Sequence, residues 1–305
     1  MDALSHILED IHLSSAEFLY VNACGDWGFC QQGHTTFHAV LQGDCILLLD
    51  EMELPLQAGD IVLMPAGDGH RLQRNKGQMH TVHDLNGDFQ GHRTDPVNLG
   101  SGTVDTFLLT ARCLMDQEMA KPLLSSLPSY LLIRQGQGGD VPEWLQLGLS
   151  FLQQETVSIR PGRDTLINRL MGMFLIECMR DYIENLSESD HNWLLAVSDP
   201  YLSPVLSAIH ESPGRPWTVL ELAGLACLSR SAFHDRFSDV VGMPPLTYLT
   251  NHRLRLAARL LALGELNIAR ISGRVGYKSE AAFSQAFRRQ YQLTPSQYRK
   301  NRLEE

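Results

Sequence analysis

The sequence predicts an α+β chain: a β-barrel with two following helices, then an all-α domain of two helix-turn-helix units joined by a linker helix. Three observations predict it. Residues from about 15 to 115 hold short apolar runs bounded by Gly, Asp and Pro. From Val141 onward the apolar spacing becomes that of helices. The last hundred or so residues repeat themselves at an offset of 50.

The β-type runs come first. Cys45-Ile46-Leu47-Leu48-Leu49 and Ile61-Val62-Leu63-Met64 are short, apolar and closed by turn residues at the spacing of a small barrel or sandwich. After Val141, the residues Trp144, Leu145, Leu147, Leu149, Phe151 and Leu152 suit a helix of about four turns. A second helix starts near Asp164, behind Arg160-Pro161-Gly162. Leu166, Leu170, Met173, Phe174, Ile176, Met179, Tyr182, Ile183 and Leu186 lie close to helical spacing along it. The polar stretch Ser187-Glu188-Ser189-Asp190-His191-Asn192 has no period and marks a boundary there or slightly later, before Asp199-Pro200. The division is thus 1–140 for the barrel, 141–196 for a helical segment and 197–305 for the C-terminal domain. In the helical segment Met171, Met173, Phe174 and Met179 form a broad apolar band that packs on the barrel or on a second copy of the chain.

Charge separates the parts. The net charge is −10, which argues against a polyanionic partner. Residues 197–305, however, hold 14 Lys+Arg against 9 Asp+Glu, and the remainder 11 against 26. A basic module joined to an acidic one is a hint of nucleic-acid binding. No run of about 18 apolar residues is present, so no membrane-spanning helix is expected. The start Met1-Asp2-Ala3-Leu4 has no basic start followed by an apolar core, so no signal peptide is expected and the cytoplasm is the expected compartment. Cys24, Cys30, Cys45, Cys113, Cys178 and Cys227 form no Cys-x-x-Cys pair, so reduced thiols are expected rather than a ribbon-type zinc site.

In the repeat, Ser229, Phe233, Phe237, Pro245 and Tyr248 recur as Ser279, Phe283, Phe287, Pro295 and Tyr298, each 50 residues on. Each copy reads as helix, turn, helix. Thr218 and Glu221 make a capping box ahead of Leu222 and Ala223, Cys227-Leu228 is the turn, and Ser229 caps the next helix. Phe233 and Phe237, four apart, face inward. In the second copy Ile268, Ile271 and Val275 line the first helix, Gly276-Tyr277 is the turn, and Ser279 caps a helix with Phe283 and Phe287 inside. Between the copies, Pro245 to Leu263 reads as one helix. About 18 residues at ~1.5 Å each make a rod of about 27 Å, near the ~34 Å of one DNA turn.

Gly276-Tyr277-x-Ser279-x-x-x-Phe283-x-x-x-Phe287-Arg288, then Thr294-Pro295-x-x-Tyr298-Arg299, resembles the signature of AraC/XylS-type transcription regulators; Arg253-Leu254 also fits. The resemblance spans about residues 200–303. Ser272 stands where that family usually has Ala. With the Phe pairs inside, the opposite faces carry Arg230, Ser231, His234, Asp235 and Ser238, and Glu280, Ala281, Ser284, Gln285 and Arg288. The resemblance implies base readers at Ser231, His234, Asp235, Glu280, Ala281, Ser284 and Gln285. Gln suits adenine, and carboxylates accept from cytosine N4. Arg288, Arg289 and Arg299 are expected on phosphates.

In the N-terminal half, Gly59-x5-Pro65-x-Gly67-x2-His70 resembles the second cupin motif, and Phe37-His38-Ala39-Val40-Leu41-Gln42-Gly43 the strand and turn of the first. Together they are similar to the cupin-type sensor domain of one branch of AraC/XylS regulators. Metal-binding cupins carry two His and a Glu before the first-motif Gly. Counting back from Gly43, those positions fall near Cys30, Gln32 and Thr36, so the metal pattern is broken. His34 and His38 share a strand face but lie about 13 Å apart along it. His34, His38, His70 and His83 are the candidate effector-pocket residues, with His80 a further one. Three states of the barrel stay open: a divalent metal, a ligand cavity without metal, or a core filled by side chains. Thiol sensing at Cys24, Cys30 or Cys113 is an overlapping mechanism, with Arg112 beside Cys113 as the only basic neighbour.

The resemblance implies a cytoplasmic homodimer that binds promoter double-stranded DNA, answers a small-molecule or stress signal, and contacts RNA polymerase. The rival reading is a metal-dependent cupin enzyme fused to a DNA-binding domain.

Overall fold

The computed structural model describes residues 2–11, 15–75, 82–89, 95–134, 147–148, 150–152, 154–155, 160–187 and 192–304. Contacts divide the chain into two compact units, residues 13–114 with 127–182, and residues 1–12 with 115–126 and 183–305. The units are therefore not consecutive in sequence: two short stretches, one before and one after the main run of strands, group with the C-terminal residues.

The first unit is built on two sheets. One holds β1 (Ser15–Cys24), β3 (Thr36–Gln42), β6 (Ile61–Met64), β9 (Val97–Gly100), β10 (Thr106–Leu114) and β11 (Leu131–Ile133), in the order β11-β6-β3-β10-β1-β9. The other holds β2 (Gly28–Gln31), β4 (Asp44–Leu49), β5 (Met52–Gln57), β7 (His70–Gln73) and β8 (His83–Asp84), in the order β5-β4-β7-β2-β8. Alternation decides which side chains go inside. Cys45, Leu47 and Leu49 of β4 are buried while Asp44 is exposed, and Leu54 and Leu56 of β5 alternate with exposed Glu53, Pro55 and Gln57. Phe29, Leu47, Leu54, Leu56 and Leu72 of the second sheet share one core with Leu19, Val21, Val40, Val62, Met64 and Leu108 of the first.

The helix α3 (Arg163–Glu184) belongs to the same unit. Ile167, Met171, Phe174, Leu175, Cys178 and Met179 are buried, whereas Met173 is 50% exposed and Leu166 36%. The apolar band read from the sequence is thus split: Met171, Phe174 and Met179 pack inside and Met173 points out. Most of the helix expected over 141–156 lies outside the described residues; residues 147, 148, 150–152, 154 and 155 are helical. A Cβ on Gly148 would sit 2.6 Å from the Phe174 ring, so these two helices touch closely. The polar boundary at 187–192 also lies largely outside the described residues.

The second unit is all-α. It contains α1 (Ala3–Asp10), α2 (Gln117–Leu124), α4 (Leu195–Ser198), α5 (Ser203–Glu211), α6 (Val219–Leu225), α7 (Arg230–Val241), α8 (Pro245–Leu263), α9 (Ile268–Arg274), α10 (Glu280–Tyr291) and α11 (Pro295–Glu304). The helix-turn-helix pairs are α6–α7 and α9–α10. Caps set their starts. Thr218 and Glu221 form the expected capping box, and Ser229 and Ser279 accept from the N–H groups of Ala232 and Ala282. Each pair has its own core. Phe233 and Phe237 pack with Leu206, Ile209, Leu222, Tyr248 and Leu249; Phe283 and Phe287 pack with Leu254, Ala257, Leu261, Ile271 and Tyr298. All four Phe are fully buried. The first half of α8 therefore serves one core and the second half the other.

Polar contacts hold the two pairs together. Arg253 of α8 donates to the carbonyls of Pro213 (2.6 Å) and Arg215 (2.7 Å). Gly276 adopts φ +85°, and a Cβ there would lie 2.6 Å from the Gly214 carbonyl oxygen and 2.7 Å from the Arg253 guanidinium. The equivalent turn of the first pair uses Cys227 at φ +53°, a left-handed conformation without glycine's freedom. Gly276→Ala is expected to destabilise the protein by about 2–4 kcal/mol in urea unfolding, since strain and a backbone clash act together. Cys227→Gly, in contrast, should be neutral or stabilising by up to about 1 kcal/mol. Equal effects of the two substitutions would contradict this account of the turns.

Candidate nucleic-acid interface and sensor cleft

The Phe pairs rotate the opposite faces of α7 and α10 outward. Arg230, Ser231, His234 and Asp235 are exposed on α7, and Glu280, Ala281, Gln285, Arg288 and Arg289 on α10. Ser284 is half-buried. His234 Nδ1 lies 3.5 Å from Asp235 Oδ1. Two of the residues named from the sequence have a different environment. The Ser238 hydroxyl is buried without a hydrogen-bond partner. Arg299 is half-buried, and its guanidinium donates to the Leu266 carbonyl, which holds the loop before α9.

Other arginines are also employed internally. Arg236 pairs with Asp199 at 2.5 Å and lies over the Tyr201 ring. Arg215 pairs with Glu221 and lies 4.0 Å from the Trp217 ring centroid. Arg270, Arg274 and Lys278, not singled out from the sequence, are also exposed in and after α9. Lys278 immediately precedes the Ser279 cap, where the N–H groups at the start of α10 already favour an anion.

In the first unit the structure brings together two of the four candidate histidines. His38 Nε2 lies 2.7 Å from His70 Nε2; His38 Nδ1 lies 2.9 Å from Thr110 Oγ1, and His70 Nδ1 lies 2.7 Å from the Asp68 carbonyl. A carbonyl only accepts, so His70 carries its proton on Nδ1. Its Nε2 then accepts from His38 Nε2–H, and His38 Nδ1 accepts from the Thr110 hydroxyl. The two neutral rings thus form a directed chain from Thr110 to Asp68. Gly67 at φ +73° permits this turn, because a Cβ would meet the His34 backbone at 2.6 Å. His34 takes no part: its Nδ1 is buried without a partner. His83 pairs instead with Asp88 at 2.5 Å.

Burial, then the neighbouring His70, holds His38 well below the usual imidazole range; burial lowers His70 as well, against its bond to the Asp68 carbonyl. His70 also lines a cleft of about 420 Å³ together with Cys30, Gln31, Gln32, Leu48, Arg71 and Asp84. Cys30 and Gln32 stand near the positions where metal-binding cupins have histidines. Two imidazoles are a poor donor set for a resident divalent ion, and among the described residues no carboxylate or third ligand joins them. Gln31 Oε1 and Asn86 Oδ1, both at the cleft, are buried without donors.

The thiols differ in the same way. Burial pushes the Cys113 thiol up to about 12, and Arg112 does not attend it: its guanidinium pairs with Glu17 at 2.5 Å and lies over Phe89. Cys24 is buried and donates to the Leu99 carbonyl. Of the three thiols considered for sensing, Cys30 is the one that reaches a cleft.

A cupin family model matches residues 2–184, and a helix-turn-helix domain model matches residues 222–301. The chain is 43% identical to the HTH-type transcriptional regulator AlkR of Acinetobacter baylyi, over 98% of this chain and 99% of that protein. It is 30% identical to the RCS-specific HTH-type transcriptional activator RclR of Escherichia coli, over 98% and 97% respectively. A putative AraC-like transcription regulator of Streptomyces lividans is 32% identical over 99% of both chains. Among solved structures, the DNA-binding domain of AdpA in complex with a target DNA aligns with 34% of this chain and 92% of its own, at 33% identity and a TM-score of 0.32.

The depressed pKa values of His38 and His70 set a pH dependence. The unfolded chain binds protons below about pH 6.5 that the folded rings refuse. Their contribution is complete above that pH and is lost progressively as pH falls toward the depressed folded values. Unfolding free energies from urea titrations at pH 7.5 and 5.5 should fall more steeply for the wild type than for His38→Gln, by up to about 1.4 kcal/mol per pH unit for each imidazole removed from the titration. Parallel pH curves would refute the buried neutral pair.

Proposed function

The chain belongs to the AraC-like family of HTH-type transcriptional regulators with a cupin N-terminal domain, and from that premise we propose how it reads its signal and its promoter. It is a DNA-binding regulator and not an enzyme. In our reading the cleft beside His70 takes a small-molecule or stress signal, the chain acts as a homodimer in the cytoplasm, and the two recognition helices enter successive major grooves. Contact with RNA polymerase would follow from promoter binding.

One observation carries the reading. Both α7 and α10 bury a Phe pair, start at a Ser cap, and are attached to opposite halves of the same helix. A protein that needed only a helical bundle has no use for two equivalent polar faces held at a fixed separation. On those faces we assign base reading to Ser231, His234 and Asp235, and to Glu280, Ala281, Ser284 and Gln285. Arg230, Arg288, Arg289 and Lys278 serve phosphates. Ser238 and Arg299 act within the fold.

For the effector, the buried acceptors Gln31 Oε1 and Asn86 Oδ1 favour a compound bearing hydrogen-bond donors, and Cys30 gives a thiol-reactive signal access to the same cleft. Binding there would shift the balance between DNA-competent and incompetent populations. For the dimer, Leu147, Phe151 and Met173 are 59%, 45% and 50% exposed on touching helices, an apolar surface that a second copy would cover. No described helix is long and apolar enough to cross a membrane.

Fluorescence anisotropy on DNA from the protein's own upstream region tests the reading. Binding should be sequence-specific and weaken with salt. Arg288→Ala should lower affinity for all sequences alike, whereas Gln285→Ala should cost about 1–3 kcal/mol on the cognate site and relax its discrimination. Phe151→Glu with Met173→Glu should convert a dimer to monomers in sedimentation. Absence of specific, salt-dependent binding there and in a genomic selection would overturn the regulator reading; an unchanged dimer would overturn the interface.

A further inference from the structure

A second cluster of metal-capable side chains lies in the helical unit, on residues that none of the recognition or cleft assignments uses. Asp10 ends α1, His210 lies in the last turn of α5, and His252 is in the first half of α8. Asp10 Oδ2 is 2.5 Å from His210 Nδ1 and 3.7 Å from His252 Nε2. The three potential ligand atoms all lie within 4.8 Å of one another.

Two observations distinguish this cluster from a chance ion pair. His252 is 1% exposed, and its Nε2 is buried without a hydrogen-bond partner. A buried polar atom left unsatisfied is costly, so something should complete it. Its nearest acidic neighbour is Asp10. The other observation concerns His210, whose Nε2 lies 2.8 Å from the Tyr248 hydroxyl. Metal-bound histidines characteristically have their second ring nitrogen held by an oxygen in this manner.

We propose that Asp10 Oδ2, His210 Nδ1 and His252 Nε2 bind one first-row divalent cation of the zinc class, with water completing the coordination. Two imidazoles and one carboxylate are a common three-ligand set for such ions. Bonds of about 2.0–2.2 Å put tetrahedral ligands roughly 3.3 Å apart, so the Asp10–His210 contact opens by under about 1 Å and the Asp10–His252 contact closes slightly. The cation takes the place of the proton between His210 Nδ1 and Asp10. In the neutral ring that proton passes to Nε2, from which His210 then donates to the Tyr248 hydroxyl oxygen. His252 gains the partner it lacks. Arg255 and Arg253 both act on His252 and oppose an incoming cation; Glu118 acts on Arg255, and Arg253 is held by the Pro213 and Arg215 carbonyls.

The ligands come from α1, α5 and α8. An ion there would fasten the start of the chain to the helix that carries both helix-turn-helix cores, and would stabilise the folded unit by mass action. The experiment uses the full chain, stripped with chelator and titrated with Co²⁺. One equivalent should bind with the visible d–d bands of a four- or five-coordinate site, be displaced by Zn²⁺, and raise the melting temperature. Asp10→Asn and His252→Gln should each lower affinity by about tenfold or more and abolish the bands, with unchanged far-ultraviolet circular dichroism. The His38→Gln, His70→Gln double variant should retain them. Asp10 is partly exposed, so Asp10→Asn carries the test even where His252→Gln fails to fold. Absence of saturable binding, bands that survive Asp10→Asn, or bands lost in the His38, His70 double variant would overturn the site.

Discussion

The helical unit depends on one division of labour within a single helix. Tyr248 and Leu249 of α8 are buried in the core of the first helix-turn-helix pair, and Leu254, Ala257 and Leu261 in that of the second. Because both cores are close-packed against the same 19-residue rod, the recognition helices cannot rotate independently without opening one of them. Arg253 sits at the junction of the two cores. Its guanidinium satisfies carbonyls of the 213–215 loop, and the turn at Gly276 packs onto that loop so closely that only glycine fits. The separation of the reading heads is thus set by apolar packing and locked by a few polar contacts.

In the barrel the corresponding constraint is the hydrogen-bond direction imposed by one carbonyl. Asp68 fixes the His70 tautomer, His70 fixes that of His38, and His38 fixes the orientation of the Thr110 hydroxyl. The chain connects the cleft, through His70, to β10 in the middle of the larger sheet. A ligand that takes the Nε2 lone pair of His70, or a proton that fills it, breaks the His38–His70 bond and leaves the bond to the Asp68 carbonyl in place. That is a physical basis on which a cleft event can be felt in the strands.

Much of this was legible in the sequence. The 50-residue repeat identified the buried Phe pairs, both Ser caps and the Thr218–Glu221 box, because capping and inward spacing are local rules. The strand runs at 45–49 and 61–64 were legible for the same reason. What escaped notice depends on contacts between distant residues. Nothing local signals that Arg299 is bound to Leu266, that Ser238 turns its hydroxyl inward, or that His38 meets His70 while His34 and His83 do not. Arg112 appeared a suitable activator for Cys113 because it is adjacent in sequence. In a strand, adjacent side chains point to opposite faces, so adjacency was evidence against the pairing. The grouping of residues 1–12 and 115–126 with the C-terminal helices was equally out of reach, since each is a short amphipathic stretch that any apolar surface would suit.

That grouping bears on how a net-acidic chain manages DNA. Asp116 and Glu118 come from the acidic part of the sequence but act within the helical unit: Asp116 faces Arg259, and Glu118 faces Arg302 and the Tyr291 hydroxyl. Asp199 and Glu221 similarly attend Arg236 and Arg215, and backbone carbonyls occupy Arg253 and Arg299. Much of the basic excess of residues 197–305 is thereby paired within the unit. On and beside the recognition helices, exposed cations stand at Arg230 on α7 and at Arg270, Arg274, Lys278, Arg288 and Arg289 around α9 and α10. On the base and phosphate assignments proposed above, the second pair would be the stronger electrostatic anchor, and the first, with His234 and Asp235 on its face, would contribute more through hydrogen bonds than through charge. Nonspecific attraction and sequence reading would to that extent be divided between two copies of the same motif.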